Sequence, residues 1–272
     1  MPTFVYSRLA HAAFPSSGHA DALVHVPRIF NPQRFGLLIY LHGFDNCIEN
    51  VAAPAPGIHD PPHPTADLIA QLEDSEKNVL LFLPETKYHE QSRDPGALGE
   101  PGGLARLLSE VLDKLAQDCP AAASLGQQGL TPIHRTLLCA HSGAYRAAIR
   151  MVQHGGLDVH ELCLLDSLYK DVEEYEALLT QRVAQQAQGA ALRFVNLYRA
   201  GGTAAHSVAQ GELLQRLLAQ HGLPEDSLAF DDQESEPSEA DLVHPWVVKR
   251  VPTAHSDFGR TYIGRLLRTS GL

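Results

Sequence analysis

Features typical of membrane proteins and nucleic-acid-binding proteins are missing from the sequence. No apolar run approaches the roughly 20 residues that a membrane-spanning helix needs. The first residues show neither the basic start nor the apolar core of a secretion signal, so we expect no export. Lys and Arg number 21 against 32 Asp and Glu, and no basic cluster is present to displace phosphate counterions. We therefore expect a small-molecule substrate, and neither a membrane nor a nucleic acid as partner.

Cysteine, methionine and tryptophan are scarce. The four cysteines form no CxxC pair and no metal-binding pattern; they are Cys47, Cys119, Cys139 and Cys163. We interpret them as free thiols in a reducing compartment, which predicts a cytoplasmic protein. With 2 Met and 1 Trp, no apolar stripe marks a partner surface, and the oligomeric state stays open.

Signals for a metal or a cofactor are weak. His59 and His63 are four residues apart, but Pro61 and Pro62 exclude the helix that would turn both rings towards one ion. The pair Gly102-Gly103 lacks the Lys-Ser/Thr that ends a phosphate-binding glycine loop. We expect neither a metal nor a cofactor.

The dominant pattern in the 272 residues is an alternation of short apolar runs with longer amphipathic segments. Continuous apolar runs indicate strands covered on both faces. The alternation predicts an α/β fold in a single domain over residues 1–272, with a doubly wound, mainly parallel, eight-stranded sheet. The predicted strands are 3–7, 22–26, 37–41, 79–83, 136–139, 162–165, 192–197 and 246–251. The predicted helices are 104–115, 144–152, 171–183, 209–218 and 258–267.

Residues 225–241 break this pattern, because they hold 8 acidic residues and no Lys or Arg. Like charges repel one another and extend the chain, so this stretch is predicted to be a solvated loop.

The most informative segment is a buried strand that ends in Ala140-His141-Ser142-Gly143-Ala144 and is followed at once by a helix. This is the context of a nucleophile elbow, a tight turn that projects a serine above the sheet. Small neighbours allow the backbone of such a turn to approach adjacent strands closely. The helix N-terminus supplies amide donors for an oxyanion. An ordinary N-capping serine is the alternative interpretation.

Two further strands end near a histidine. The strand 37–41 leads into His42-Gly43-Phe44, and the strand 246–251 leads into a short loop that carries His255. His255 is a better candidate for a general base than His221 or His244, because it follows the last strand directly.

These motifs together resemble the α/β-hydrolase superfamily. Ala140 and Ala144 stand where its usual Gly-x-Ser-x-Gly pattern has glycines. The resemblance implies an α/β-hydrolase-like sheet with Ser142 as the nucleophile and His255 as the general base.

The resemblance also implies how an oxyanion would be held. The two donors would be the backbone amides of Phe44, which follows the His-Gly turn, and of Gly143, which follows the serine. His42 would then have a structural role and hydrogen-bond the backbone of its loop.

The triad acid is less directly indicated. The superfamily usually places it after the strand that here is 192–197, but residues 198–205 hold no carboxylate. One strand earlier, Asp166 closes an apolar strand, where a carboxylate needs a partner such as an imidazole. We therefore predict Asp166, with Asp231 or Asp232 as the alternatives and a helix cap as the competing interpretation. The order Ser142, Asp166, His255 agrees with the superfamily.

These residues predict a serine hydrolase that cleaves a carboxylic ester through an acyl-enzyme. An amidase or peptidase with the same triad is one alternative, and a non-catalytic binding protein on the same scaffold is another.

Two long connections, residues 43–78 and 84–135, leave the carboxyl ends of strands, where α/β sheets bind ligands. The short connection from residue 166 to residue 191 leaves no room for a large lid domain. The loop 85–94 is polar and unsuited to a long acyl chain, so we predict a small or polar acyl substrate and no interfacial activation. Lys87 and Arg93 are the predicted substrate-binding residues, and a merely solvated loop is the alternative.

Overall fold

One sheet of nine strands organises the computed structural model, which describes residues 2–14, 19–54, 65–86 and 94–272. The strands are β1 (Thr3–Tyr6), β2 (Ala22–His25), β3 (Phe35–Leu41), β4 (Val79–Pro84), β5 (Ile133–His141), β6 (Glu161–Leu165), β7 (Arg193–Tyr198), β8 (Leu228–Asp231) and β9 (Trp246–Arg250). Their order across the sheet is β1-β2-β4-β3-β5-β6-β7-β9-β8. β2 pairs antiparallel with β1 and β4, and every other neighbouring pair is parallel.

The central strands are buried because helices cover both faces of the sheet. The helices are α1 (Ile48–Ala52), α2 (Leu68–Asp74), α3 (Gly103–Asp118), α4 (Leu125–Gln128), α5 (Tyr145–His154), α6 (Val172–Ala187), α7 (Ala204–Gln220), α8 (Glu239–Leu242) and α9 (Phe258–Thr269). Alternate residues of β3 show the division: Leu37 and Ile39 belong to the part of the core that includes residues of α3, α5, α6 and α7. Leu38 and Tyr40 pack on the opposite face with α1, α2 and α9.

The predicted doubly wound, mainly parallel sheet is therefore confirmed, and the five predicted helices correspond to α3, α5, α6, α7 and α9. The predicted number of eight strands is wrong, because the acidic stretch 225–241 contains a ninth strand, β8, and the start of α8. Leu228 and Phe230 pack against the core. Basic residues of β9 compensate the acids: Lys249 Nζ lies 3.1 Å from Asp241 Oδ2, and Arg250 Nη2 lies 3.7 Å from Glu234 Oε2.

Within the described ranges, no helix combines the length and apolarity needed to cross a membrane. The same ranges contain no cluster of three or more His, Cys, Asp or Glu side chains that could hold a metal ion. His59 and His63 lie outside the described residues. All four cysteines are described and buried, and none forms a disulfide.

Candidate active site

Three side chains that are far apart in the sequence form a continuous chain of hydrogen bonds at the carboxyl edge of the sheet. Ser142 follows β5, Asp166 follows β6, and His255 lies in the loop after β9. His255 Nε2 is 2.7 Å from Ser142 Oγ, and His255 Nδ1 is 2.6 Å from Asp166 Oδ2. The structure thus brings together the serine, the histidine and the aspartate that the sequence singles out.

The hydrogen-bond partners determine how the His255 ring is protonated. An ionised carboxylate only accepts hydrogen bonds, so Nδ1 carries the proton and donates a hydrogen bond to Asp166. Nε2 then carries no proton and accepts a hydrogen bond from the Ser142 hydroxyl. About a third of the His255 side chain is exposed, whereas Asp166 is almost fully buried. The ring therefore links a buried carboxylate to the serine hydroxyl and itself remains partly open to solvent.

The turn at Ser142 is backbone-strained, as a nucleophile elbow requires. Ser142 has φ 54°, in the left-handed region that favours glycine. The Ser167 hydroxyl donates a 2.7 Å hydrogen bond to the Ser142 carbonyl and holds the strained turn from the next strand end. A Cβ on Gly43 would approach Ser142 Cβ to 2.8 Å, so the His-Gly turn lies directly against the serine. Only glycine fits at this position.

Asp166 is held as a charged acceptor by neighbours from three segments. Burial by itself would raise the pKa of Asp166, but hydrogen bonds from His255 and Thr203 outweigh burial and lower it. Thr203 Oγ1 donates to Asp166 Oδ1 at 2.5 Å, and the Arg199 amide approaches the same oxygen at 3.4 Å. With both oxygens engaged, the carboxylate has one orientation towards His255.

A second histidine, His141, supports the loop that carries His255. Its Nε2 donates a 2.8 Å hydrogen bond to the His255 carbonyl, and the two ring centroids are 4.9 Å apart. Burial, together with the charge of a protonated His255, lowers the pKa of His141 to about 4. His141 therefore stays neutral near pH 7 and adds no positive charge beside His255.

The residues named as oxyanion donors lie next to the serine. Gly143 directly follows Ser142 in a short 3-10 turn at residues 142–144, before α5. Phe44 follows Gly43, and its ring covers Gly143 so closely that a Cβ there would lie 2.2 Å from Phe44 Cε1. The two backbone segments that hold these amides therefore meet at the Ser142 side chain.

His42 and Glu85 form a buried pair beneath the His-Gly turn. His42 Nε2 is 2.5 Å from Glu85 Oε1, and His42 Nδ1 donates a 2.7 Å hydrogen bond to the Gly43 carbonyl. The expected contact between His42 and loop backbone is thus present. Glu85, the first residue of the predicted polar loop 85–94, is buried instead. Its carboxylate lies inside because His42 and the Ile48 amide supply hydrogen bonds.

One architecture accounts for four observations. These are the sheet order, the helices on both faces, the strained serine turn, and the positions of the three side chains after β5, β6 and β9. The chain has the α/β-hydrolase fold.

A search with the sequence finds no matching protein-family model and no matching curated protein. Among solved structures, the chain is similar to an S-formylglutathione hydrolase from Agrobacterium tumefaciens, at 11% identity and a TM-score of 0.46, over 92% of this chain and 90% of that one. It is also similar to a ferulic acid esterase, at 10% identity and a TM-score of 0.48, over 92% of both chains. A siderophore hydrolase from Aspergillus fumigatus matches 92% of this chain and 75% of its own, at 13% identity and a TM-score of 0.31. Similarities at this level carry no information about the substrate.

Asp231, an alternative to Asp166, has other neighbours in the described part of the chain. Asp231 is more than a third exposed and lies 4.0 Å from Lys249 Nζ, and the carboxylate beside His255 is that of Asp166. Lys87 and Arg93 lie outside the described residues, so their role in substrate binding stays a prediction.

Sequence reasoning missed the supporting residues Thr203, Glu85 and His141. Thr203 lies in the stretch 198–205, which holds no carboxylate. A hydroxyl in the loop after the strand next to Asp166 is the available signal, because the loops after neighbouring parallel strands meet at one edge of the sheet.

Proposed function

We propose that this protein is a serine hydrolase that cleaves carboxylic esters of small or polar acyl groups through an acyl-enzyme. The observation that carries the proposal is the chain of hydrogen bonds from Ser142 through His255 to Asp166, with N–O distances of 2.7 and 2.6 Å. A nucleophile, a base and a group that orients the base are the three parts that such chemistry needs. The strained backbone at Ser142 adds support, since strained residues of this kind occur preferentially at active sites.

The reaction follows from the hydrogen bonds. Ser142 Oγ attacks the ester carbonyl while His255 Nε2 takes the hydroxyl proton, and Asp166 stabilises the imidazolium. The Phe44 and Gly143 amides hold the negative oxygen of the tetrahedral intermediate. Collapse of the intermediate expels the alcohol, which receives the proton from His255. A water molecule, deprotonated by His255, then releases the acid and restores Ser142.

The connection from β6 to β7 supports a small or polar acyl group. Most of this connection is the helix α6, whose buried residues belong to the core layer that covers the sheet. It therefore contributes no separate helical cover to the site, and a third of the His255 side chain remains open to solvent. A lipase needs an apolar groove and a cover for long acyl chains.

Hydrolysis of p-nitrophenyl acetate, butyrate and laurate tests the proposal, with aminoacyl p-nitroanilides as the amide comparison. We expect the soluble short-chain esters to be cleaved fastest and the anilides slowly, and Ser142→Ala to lose about 10⁴-fold or more in kcat. Wild-type turnover by Ser142→Ala would contradict the mechanism. Faster cleavage of emulsified laurate would contradict the proposed substrate class, and faster cleavage of the anilides would favour an amidase.

A further inference from the structure

The buried pair of His42 and Glu85 takes no part in the proton transfers above, yet it contacts the His-Gly turn that lies against Ser142. His42 follows β3, Glu85 follows β4, and these two strands are parallel neighbours in the sheet. The His42 side chain is fully buried and the Glu85 side chain is 8% exposed. Burying a histidine and a carboxylate has a desolvation cost that their pairing must offset. The contacts of the pair indicate what it achieves.

Both ring nitrogens of His42 face acceptors. Nε2 faces the Glu85 carboxylate, and Nδ1 faces the Gly43 carbonyl at 2.7 Å. Burial by itself would lower the pKa of His42, but the charge and hydrogen bond of Glu85 outweigh burial and raise it. Glu85 thus keeps His42 as a two-proton donor, whose second proton is directed at the backbone of the His-Gly turn.

Glu85 also holds the far end of the same turn. Its Oε2 accepts a 3.1 Å hydrogen bond from the Ile48 amide at the start of α1. One carboxylate therefore ties together both ends of the segment 43–47, through His42 at one end and directly at the other. Within that segment Asp45 has φ 52°, a left-handed conformation that needs such support in a residue other than glycine.

The planarity of the peptide bond links this arrangement to catalysis. The Gly43 carbonyl and the Phe44 amide belong to one peptide group, and in a trans peptide the C=O and N–H bonds point in opposite directions. A hydrogen bond that pulls the Gly43 carbonyl towards His42 therefore turns the Phe44 amide the other way. Gly43 lies against Ser142, so a rotation of this peptide would change the donor geometry beside the serine.

We propose that Glu85 is a positioning residue of the oxyanion hole, which sets the direction of the Phe44 amide through His42 and the Gly43 carbonyl. This inference rests on the proposed function. It assigns Glu85 an effect on the transition state and none on the binding of the ground-state ester, because the oxyanion forms only when the carbonyl is attacked.

The test compares Glu85→Gln with Glu73→Gln. Glu73 forms an equivalent pair with His25, with its Oε1 2.8 Å from His25 Nε2 and a backbone amide, that of Arg28, on the same carboxylate. His25 is paired with Leu81, three positions before Pro84 in β4, so this second pair lies away from the carboxyl edge. Glutamine keeps the shape of the side chain but removes its charge and one acceptor oxygen.

For Glu85→Gln we expect kcat on p-nitrophenyl acetate to fall about 10- to 100-fold with KM within about threefold of the wild type. This is less than the roughly 10²- to 10³-fold loss for a deleted oxyanion donor. The affinity for a methyl trifluoromethyl ketone, which adds to Ser142 and leaves an oxyanion in the hole, should fall by the same factor as kcat/KM. Glu73→Gln should leave all three quantities unchanged.

Two results would overturn the inference: a folded Glu85→Gln protein with wild-type kcat, or a loss of kcat with unchanged affinity for the ketone. If Glu85→Gln does not fold, His42→Leu gives the same readout, because it removes the donor to Gly43; wild-type kcat and ketone affinity in that variant would also overturn it. Failure of the proposed function is recognised separately, since the wild-type protein would then neither hydrolyse the ester nor bind the ketone.

Discussion

One imidazole–carboxylate pair contacts Ser142 and a second contacts the His-Gly turn beside it, and the two pairs are alike in their first contact. In the pair of His255 and Asp166 the N–O distance is 2.6 Å, and in the pair of His42 and Glu85 it is 2.5 Å. Each pair joins residues that follow different strands of the sheet. The pairs differ in what the other ring nitrogen faces and in how far the ring is buried.

His255 turns its second nitrogen to a hydroxyl, which can give up a proton, and its side chain is about a third exposed. His42 turns its second nitrogen to a carbonyl, which can only accept a hydrogen bond, and is fully buried. The same pairing thus leaves an acceptor nitrogen facing a hydroxyl in one case and a donor nitrogen facing a backbone carbonyl in the other.

The largest expected difference between the pairs concerns their carboxylates. Asp166→Asn leaves the shape of the site but favours the wrong tautomer of His255, so we expect kcat to fall about 10⁴-fold. This is at least a hundred times the loss expected for Glu85→Gln. Asp231→Asn and Asp232→Asn serve as controls in the same ester assay and should retain wild-type kcat. A larger loss in either control than in Asp166→Asn would assign the acid to residues 231–232.

A smaller effect is expected for Thr203, which hydrogen-bonds the Asp166 oxygen that does not face His255. Thr203→Val removes the hydroxyl that donates to Asp166 Oδ1 at 2.5 Å and leaves a buried carboxylate oxygen short of a donor. We expect about a tenfold loss of kcat and about 1 to 3 kcal/mol less stability towards urea. Thr203→Ser, which keeps the hydroxyl, should recover most of both losses. Equal losses in the two variants would show that the hydroxyl is unimportant.

The smallest effect on activity is expected for His141, whose ring lies beside that of His255. Its pKa is lowered to about 4, so the unfolded chain binds this proton at a higher pH than the folded chain does. Stability from this source is complete above the ordinary histidine pKa and is lost as the pH falls towards 4. In His141→Phe, urea unfolding at pH 7 and pH 5 should show about 2 kcal/mol less pH-dependent loss than in the wild type. An unchanged pH dependence would contradict the lowered pKa.

The sequence predicts most of the sheet because the central strands are continuous apolar runs, and it predicts Ser142 and His255 because each follows such a run. It does not predict β8, because the apolar run at 228–230 is short and has acidic neighbours. Only the structure shows that Lys249 and Arg250 of β9 lie beside those acids. Glu85 looks like a loop residue for a similar reason. Its burial depends on His42, which comes 43 residues earlier and reaches it only through the pairing of β3 with β4.

The central claim is that Ser142 is the nucleophile and His255 its base. The most direct test treats the folded protein with a fluorophosphonate, measures the intact mass, and maps the modified peptide for the wild type and for His255→Ala. We predict one adduct per chain, carried by Ser142, and labelling slowed by about 10³-fold or more in His255→Ala. Absence of an adduct, an adduct on another residue, or equally fast labelling of both proteins would contradict the account.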